Sequence, residues 1–119
     1  MKKIIALTLA LVLALGLIAC GASESGETQM TLEEGKLLMS TNAAFPPYEM
    51  TTDDGGYEGI DVEIATAIAQ KLGLELEILD MDFDAALLAV NEKKSDIVMA
   101  GVTVNEDRQL VMDFTESYA

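Results

Sequence analysis

The stretch Gly59-Ile-Asp-Val-Glu-Ile-Ala-Thr-Ala-Ile-Ala-Gln-Lys-Leu72 is the most regular segment of this 119-residue chain. Its apolar residues recur at spacings of three and four, the period of an amphipathic α-helix. Asp61 has the side chain of a helix N-cap, and Gly73 is a natural C-terminal stop. The stretch therefore predicts a helix that ends at Leu72. Its predicted apolar face consists of Ile60, Ile64, Ala67, Ile68 and Leu72.

Strand and helix patterns alternate on both sides of this segment. Short apolar or alternating runs predict strands at residues 36–41, 74–79 and 97–100. Residues 83–90 carry a second helical pattern, and Thr103-Val-Asn-Glu106 has the form of a capping box that opens a short third helix. The alternation predicts an α/β fold with a mostly parallel sheet flanked by helices. Ligands of such sheets bind beyond the carboxyl ends of the strands, where the loops after Thr41 and Ala100 meet.

The segment between the first predicted strand and the quoted helix has a different character. Pro46 and Pro47 forbid helix and predict an extended loop over residues 42–48. The turn residues at 51–56 then predict a small hairpin between residues 48–50 and 57–59.

The amino terminus has the composition of an export signal. Lys2 and Lys3 precede an apolar run of about fifteen residues, which is short for a membrane-spanning helix. The run ends in Leu17-Ile-Ala-Cys20, and the whole segment resembles a bacterial lipoprotein signal. The resemblance implies that residues 1–20 are the signal and that Cys20 is the lipid attachment site. An ordinary cleavage site beside a free cysteine is the alternative. Residues 21–35 are polar and predict a flexible tether.

Composition excludes several classes of function. The formal net charge is −14, which argues against nucleic acid as a partner. The chain has no histidine, so His-based acid/base catalysis and His/Cys zinc sites are excluded. Its single cysteine cannot form an intrachain disulfide. About eighty residues remain for one small domain, a marginal size for an independent core.

Arg108 is the only arginine of this acidic chain. A guanidinium group presents a planar fork of donors that matches a carboxylate, and Thr103 offers a hydroxyl five residues upstream. Together they predict a receptor for a carboxylate. The alternative is a surface arginine that pairs with a neighbouring acid.

Four ordered motifs resemble the family 3 bacterial solute-binding proteins, the amino acid receptors of ABC importers. The motifs are the quoted helix, the loop Thr41-Asn-Ala-Ala-Phe-Pro-Pro-Tyr48, residues 83–96, and residues 101–118 with their Asp-Phe-Thr-x-x-Tyr run. The resemblance covers residues 36–118. It implies a periplasmic-binding-protein-like type II fold, in which residues 36–119 form the first part of lobe I and the second lobe is absent.

The resemblance also implies roles for individual residues. Arg108 falls on the position that grips the α-carboxylate of the ligand, and Thr103 on the position that gives this carboxylate a hydroxyl and a backbone N–H. Gly101 falls where a backbone carbonyl accepts from the α-ammonium. For these three, the alternatives are a surface cation, a helix cap and a turn glycine.

Three further positions face the ligand side chain in the family. Phe45 matches an aromatic that lies against the side chain, and Phe83 matches a second apolar wall. Ordinary core packing is the alternative for both. Asn42 falls where several relatives carry an aspartate, so its neutral amide weakens the case for a cationic ligand.

The resemblance implies an exported, lipid-anchored receptor that delivers a small zwitterionic amino acid to the permease subunits of an ABC importer. We expect no catalysis, no cofactor and no metal. Two alternatives share the fold, namely a periplasmic dehydratase and the ligand-binding ectodomain of a sensor protein.

Overall fold

The computed structural model describes residues 29–119. The predicted signal, the lipid attachment site at Cys20 and residues 21–28 of the predicted tether lie outside the described residues. Within the described range the chain packs from Leu32 onward, because the Leu32 amide donates to Asp96 Oδ1 at 2.8 Å. No helix of residues 29–119 is long and apolar enough to cross a membrane.

A three-stranded parallel sheet forms the centre of the fold. Its strands are β1 (Lys36–Thr41), β5 (Glu75–Asp80) and β6 (Ile97–Val98), in the order β5-β1-β6. The register pairs Lys36 with Glu75 and Met39 with Ile97. Residues 37–41 of the central strand are all buried, as expected for a parallel strand covered on both faces. The predicted strands are confirmed, although the third comprises two residues instead of four.

Two helices cover the sheet, α1 (Ile60–Leu72) and α2 (Phe83–Asn91). Met39 of β1 shares a core cluster with Ala65 of α1. The neighbouring Ser40 donates from its hydroxyl to the Ala86 carbonyl of α2 at 2.9 Å. Since adjacent residues of a strand point to opposite faces, the two helices lie on opposite sides of the sheet.

The predicted apolar face of α1 is only partly correct, because Ile64 packs against the core cluster whereas three other members are exposed. Ile60, Ile68 and Leu72 are 40%, 40% and 44% exposed. The residues that α1 buries are Asp61, Val62, Ala65 and Ala69. The small side chains of Ala65 and Ala69 let the helix approach the sheet closely. These alanines are four residues apart, so they too follow the helical period, on a face beside the isoleucines. Periodicity alone therefore fixed the helix but not its rotation.

The predicted cap of α1 was also wrong. Gly59 occupies the N-cap position, and Asp61 makes no capping hydrogen bond. Gly59 has φ 126°, and a Cβ there would lie 2.3 Å from the Tyr48 carbonyl oxygen. Glycine is needed because the start of α1 runs directly against residues 47 and 48. The Asp61 amide donates to that Tyr48 carbonyl at 2.9 Å, which brings Asp61 beside the hairpin.

A small antiparallel sheet contains β2 (Ala44–Phe45), β3 (Glu49–Thr51) and β4 (Tyr57–Glu58). The predicted hairpin is confirmed, and β2 adds a strand within the predicted extended loop. The last helix, α3, spans only Glu106–Gln109. Its N-cap is Asn105, whose side chain accepts from the Arg108 amide, so the predicted capping box at Thr103 was wrong. Asn105 immediately precedes α3, and its side-chain oxygen accepts from a first-turn backbone amide that has no partner within the helix.

Candidate ligand-binding site

The loops that follow β1 and β6 meet at the carboxyl edge of the parallel sheet. The first loop is fixed to the end of β5, since the Ala43 amide donates to Asp80 Oδ1 at 2.8 Å. The Asn42 side chain donates to the Met81 carbonyl at 3.0 Å. Asn42 is therefore held in place by the chain that leads into α2.

A pocket of about 240 Å³ opens between these loops. It contains four of the six predicted ligand-binding residues, namely Asn42, Phe45, Phe83 and Gly101. Its other lining residues are Ala44, Glu49 and Ala100. The topology thus brings together residues that lie up to 59 positions apart in the sequence.

Phe45 stands at the rim of this pocket. Its side chain is 50% exposed and stacks on Tyr48, with ring centroids 5.5 Å apart and an interplanar angle of 15°. Core packing therefore does not account for Phe45. Gly101 has φ 56°, and a Cβ there would lie 2.7 Å from Phe45 Cε1. The glycine lets the second loop pass against the edge of the ring.

Arg108 lies next to the pocket, over the other phenylalanine. Its guanidinium carbon is 5.3 Å from the centroid of the Phe83 ring, a cation–π distance. Nη1 donates to the Thr103 carbonyl at 2.8 Å. Within residues 29–119 the ion pairs involve Lys36 and Lys94, and Arg108 has no carboxylate partner. Since a guanidinium has five N–H donors, most of its capacity remains for a ligand.

Thr103 contacts Arg108 through its backbone and does not line the 240 Å³ pocket. It is exposed and borders a wider groove between α1, β6 and residues 111–119. No helix begins at Thr103, because α3 starts at Glu106 and has four residues. The short helix that was predicted to open at Thr103 therefore begins three residues later.

Two buried carboxyl groups, which the sequence did not assign to the site, lie near the pocket. Glu49, the first residue of β3, is 0% exposed and lines the pocket. Neither of its carboxyl oxygens has a hydrogen-bond donor among the described residues. Burial, and after it the neighbouring Asp61 carboxyl, raises the pKa of Glu49 to about 8. The sequence offers one signal, a charged residue between the apolar Tyr48 and Met50, but alternation would place it on the solvent side.

Asp61 is also 0% exposed and connects three segments. Its Oδ1 accepts from the Tyr118 hydroxyl at 2.7 Å, and its Oδ2 accepts from the Gly101 amide at 3.4 Å. Burial, followed by the hydrogen bond to Asp61 and nearby negative charge, raises the pKa of Tyr118 above its ordinary range. Asp61 thus supports the pocket from behind through the backbone of Gly101.

The pocket has the chemistry of a site for a small polar molecule. It combines two aromatic rings and a buried acid, and beside it lies Arg108, whose guanidinium has no carboxylate partner within residues 29–119. Across residues 29–119, no group of three or more acidic, histidine or cysteine side chains is arranged to hold a metal ion.

Two curated proteins are similar over nearly the whole chain. The arginine-binding extracellular protein ArtP of Bacillus subtilis is 39% identical over 120 residues, which is 99% of this chain and 45% of ArtP. A probable histidine-binding protein of Neisseria gonorrhoeae is 37% identical, over 99% of this chain and 44% of that protein. The chain thus spans somewhat less than half the length of these relatives. A cyclohexadienyl dehydratase of Pseudomonas aeruginosa is 32% identical over 106 residues, 87% of this chain and 40% of the enzyme.

Solved structures agree with these relatives. The arginine-bound form of truncated ArgBP from T. maritima superposes with a TM-score of 0.70 and 40% identity, covering 71% of this chain and 40% of that one. The arginine-bound form of domain 1 from TmArgBP gives a TM-score of 0.68 and 40% identity, covering 71% and 67%. The expected fold class, a partial α/β lobe of the periplasmic amino acid-binding type, is therefore confirmed.

The sequence profile of one family extends over the folded part of the chain. Residues 37–119 match the bacterial extracellular solute-binding proteins, family 3, as the sequence motifs predicted. This protein belongs to the bacterial extracellular solute-binding proteins, family 3.

Proposed function

We propose that this chain is the ligand-gripping part of an amino acid receptor that serves an ABC importer. The observation that carries the proposal is the half-buried guanidinium of Arg108, which has no carboxylate partner among the described residues of a chain with net charge −14. Acids are abundant on this surface, so an arginine that pairs with none of them is available for an external carboxylate.

The surroundings of Arg108 fit a carboxylate clamp. The Thr103 carbonyl and the Phe83 ring fix the plane of the guanidinium, so little side-chain entropy remains to be lost on binding. A planar guanidinium binds a carboxylate through two parallel hydrogen bonds. Beside it, the rings of Phe45 and Phe83 give the pocket apolar walls for a ligand side chain.

Glu49 favours a cationic side chain for the ligand. The pocket places this acid on the same wall as Phe45 and Gly101, whereas Asn42 supplies only a neutral amide. A guanidinium or ammonium group would give the buried Glu49 carboxylate a charge partner. Relatives named for binding arginine and histidine are consistent with this choice.

Export and anchoring complete the proposal. The basic start, apolar run and Leu-Ile-Ala-Cys20 order support processing at Cys20 and diacylation of that residue. A lipid anchor would hold the receptor at the outer face of the cytoplasmic membrane, close to the permease subunits. Membership of a family of extracellular proteins supports export.

We propose binding without catalysis, and one observation supports an alternative. Glu49 is a buried acid in the pocket, and buried acids with raised pKa serve as general acids in enzymes. Since one relative is a cyclohexadienyl dehydratase, Glu49 is a candidate proton donor for a dehydration. Turnover of a cyclohexadienyl substrate by the purified chain, abolished in Glu49→Gln, would favour the enzyme.

The proposed function is tested with three ligands that differ in one group each. L-Arginine has both an α-carboxylate and a cationic side chain. Agmatine lacks the α-carboxylate, and L-citrulline lacks the side-chain charge. Amide NMR shifts of the chain measure weak and tight binding alike, and arginine should bind tightest. Loss of one charge-assisted hydrogen-bonding group costs on the order of 2 kcal/mol, so each analogue should bind about thirtyfold more weakly. Agmatine that binds as tightly as arginine would rule out a carboxylate clamp.

A further inference from the structure

Glu49 and Asp61 form a buried pair of carboxyl groups behind the ligand pocket. Both residues are 0% exposed. Glu49 begins β3 and Asp61 lies in the first turn of α1, and Asp61 is the charged neighbour that helps to raise the pKa of Glu49. Two neighbouring carboxylates buried away from solvent repel each other strongly, so the pair retains one proton.

The hydrogen bonds around the pair decide which residue holds the proton. Asp61 accepts from the Tyr118 hydroxyl at 2.7 Å and from the Gly101 amide at 3.4 Å, and both donors favour a charged acceptor. Glu49 as a carboxylate accepts from no described residue. A neutral carboxyl group costs less free energy there than a buried carboxylate that no donor satisfies. Glu49 is therefore the protonated member.

The charged and titratable groups that face the pair come from two further segments. Tyr118 reaches Asp61 from the carboxyl-terminal segment, and Tyr48 lies in the segment that precedes Glu49. Neither tyrosine carries positive charge, and no lysine or arginine forms an ion pair with Glu49 or Asp61 within residues 29–119. The pair therefore lacks the cation that would allow both acids to ionise.

We propose, on the basis of the function proposed above, that binding of a cationic amino acid side chain in this pocket releases the Glu49 proton to solvent. Glu49 lines the pocket together with Phe45, Phe83 and Gly101, so a cationic group bound in the pocket lies next to Glu49. An opposite charge within about 4–6 Å favours the ionised acid. The ligand cation then replaces the proton as the partner of the buried pair. The pKa of Glu49, raised to about 8 by burial and Asp61, agrees with a proton that is present at neutral pH and can be displaced.

The exchange makes arginine affinity depend on pH. If one proton leaves for each arginine that binds, the association constant rises about tenfold per pH unit wherever the ligand-free Glu49 is protonated. From pH 6 to pH 7 we expect a rise of close to tenfold, which then lessens toward a plateau above pH 8. Citrulline brings no cation, so its affinity should not rise with pH.

The test is an NMR titration of the chain with L-arginine and L-citrulline at pH 6, 7 and 8. Glu49→Gln is the matched variant, since it keeps the shape but has no proton to release, and its arginine affinity should be independent of pH. The carboxyl carbon resonance of Glu49 in the ligand-free chain gives a second measurement, and it should titrate above pH 7 and move to lower pH with saturating arginine.

The possible failures are distinguishable. A chain that binds no arginine at any pH overturns the proposed function, and this inference with it. Arginine binding with the same affinity at pH 6 and pH 8 overturns the proton release alone. A Glu49 carboxyl carbon that titrates below pH 5 without ligand also overturns it, whether or not the Glu49→Gln variant folds.

Discussion

Asp61 accepts a hydrogen bond from the Tyr118 hydroxyl at 2.7 Å, across 57 positions of sequence. The contact ties the first turn of α1 to the carboxyl-terminal segment. The other Asp61 oxygen accepts from the Gly101 amide, so the same side chain positions the loop that borders the ligand pocket. A buried acid that a sequence pattern assigns to a helix cap thus connects three parts of the site.

Removal of the Tyr118 hydroxyl should destabilise the chain. Tyr118→Phe leaves a fully buried Asp61 oxygen without its donor, and hydrogen bonds to charged groups contribute about 1.5–3 kcal/mol. Because Tyr118 is 49% exposed, we expect a loss of free energy of unfolding near the lower end, about 1.5 kcal/mol. Urea unfolding followed by circular dichroism measures it.

Tyr57→Phe is the matched control. Tyr57 lies in β4 and its hydroxyl makes no hydrogen bond to another described residue, so its loss should change the free energy of unfolding little. Equal effects of the two substitutions would show that the Asp61–Tyr118 contact does not stabilise the fold.

Stability should depend on pH through Glu49. The folded chain holds a proton on Glu49 up to about pH 8, whereas the unfolded chain loses it near the ordinary value of 4.5. The stabilisation that this proton gives the folded chain is fully present below pH 4.5 and is lost as the pH rises to 8. Glu49→Gln removes it, so the variant should gain stability relative to the parent from pH 5 to pH 8, by at most about 1.4 kcal/mol per pH unit.

Unfolding in urea at pH 5, 6, 7 and 8 measures this difference. Glu63→Gln, at an exposed position of α1, serves as control and should show a constant difference from the parent over the same range. If the difference in free energy of unfolding between Glu49→Gln and the parent is equally constant over this range, Glu49 does not carry the proton.

Sequence predicted the elements of the fold better than their orientation. The strand at 36–41, a strand that begins at residue 97 and the two longer helices follow from period and turn residues, which are local. The rotation of α1 depends on how closely Ala65 and Ala69 approach the sheet, and no local pattern contains that information. The burial of Glu49 likewise depends on the start of α1 crossing over residues 47 and 48.

For the candidate site, too, the sequence predicted which residues come together better than how the backbone arranges them. Resemblance to the family selected Asn42, Phe45, Phe83 and Gly101, and the topology brings these four into one pocket. Their roles toward a ligand stay predictions. Thr103 was assigned a helix start that Asn105 in fact caps, because both residues have capping side chains and only the backbone path chooses between them.

The anchor prediction is independent of the fold. Cys20→Ser should prevent lipid attachment and release the protein from the membrane fraction, because diacylation supplies the hydrophobic partition. Fractionation with mass spectrometry of the mature amino terminus measures both properties. A parent protein that is already soluble, with an amino terminus other than a modified Cys20, would reject the assignment.

The central claim is that Arg108 binds the α-carboxylate of an amino acid, and one thermodynamic cycle tests it most directly. The parent and Arg108→Lys are each titrated with L-arginine and with agmatine by amide NMR. Lysine keeps the charge but loses the planar fork, so arginine affinity should fall at least about thirtyfold, whereas agmatine affinity should not change. Lys71→Gln, which removes an exposed cation of α1, should alter neither. An equal fall for both ligands, or no fall for arginine, would contradict the account.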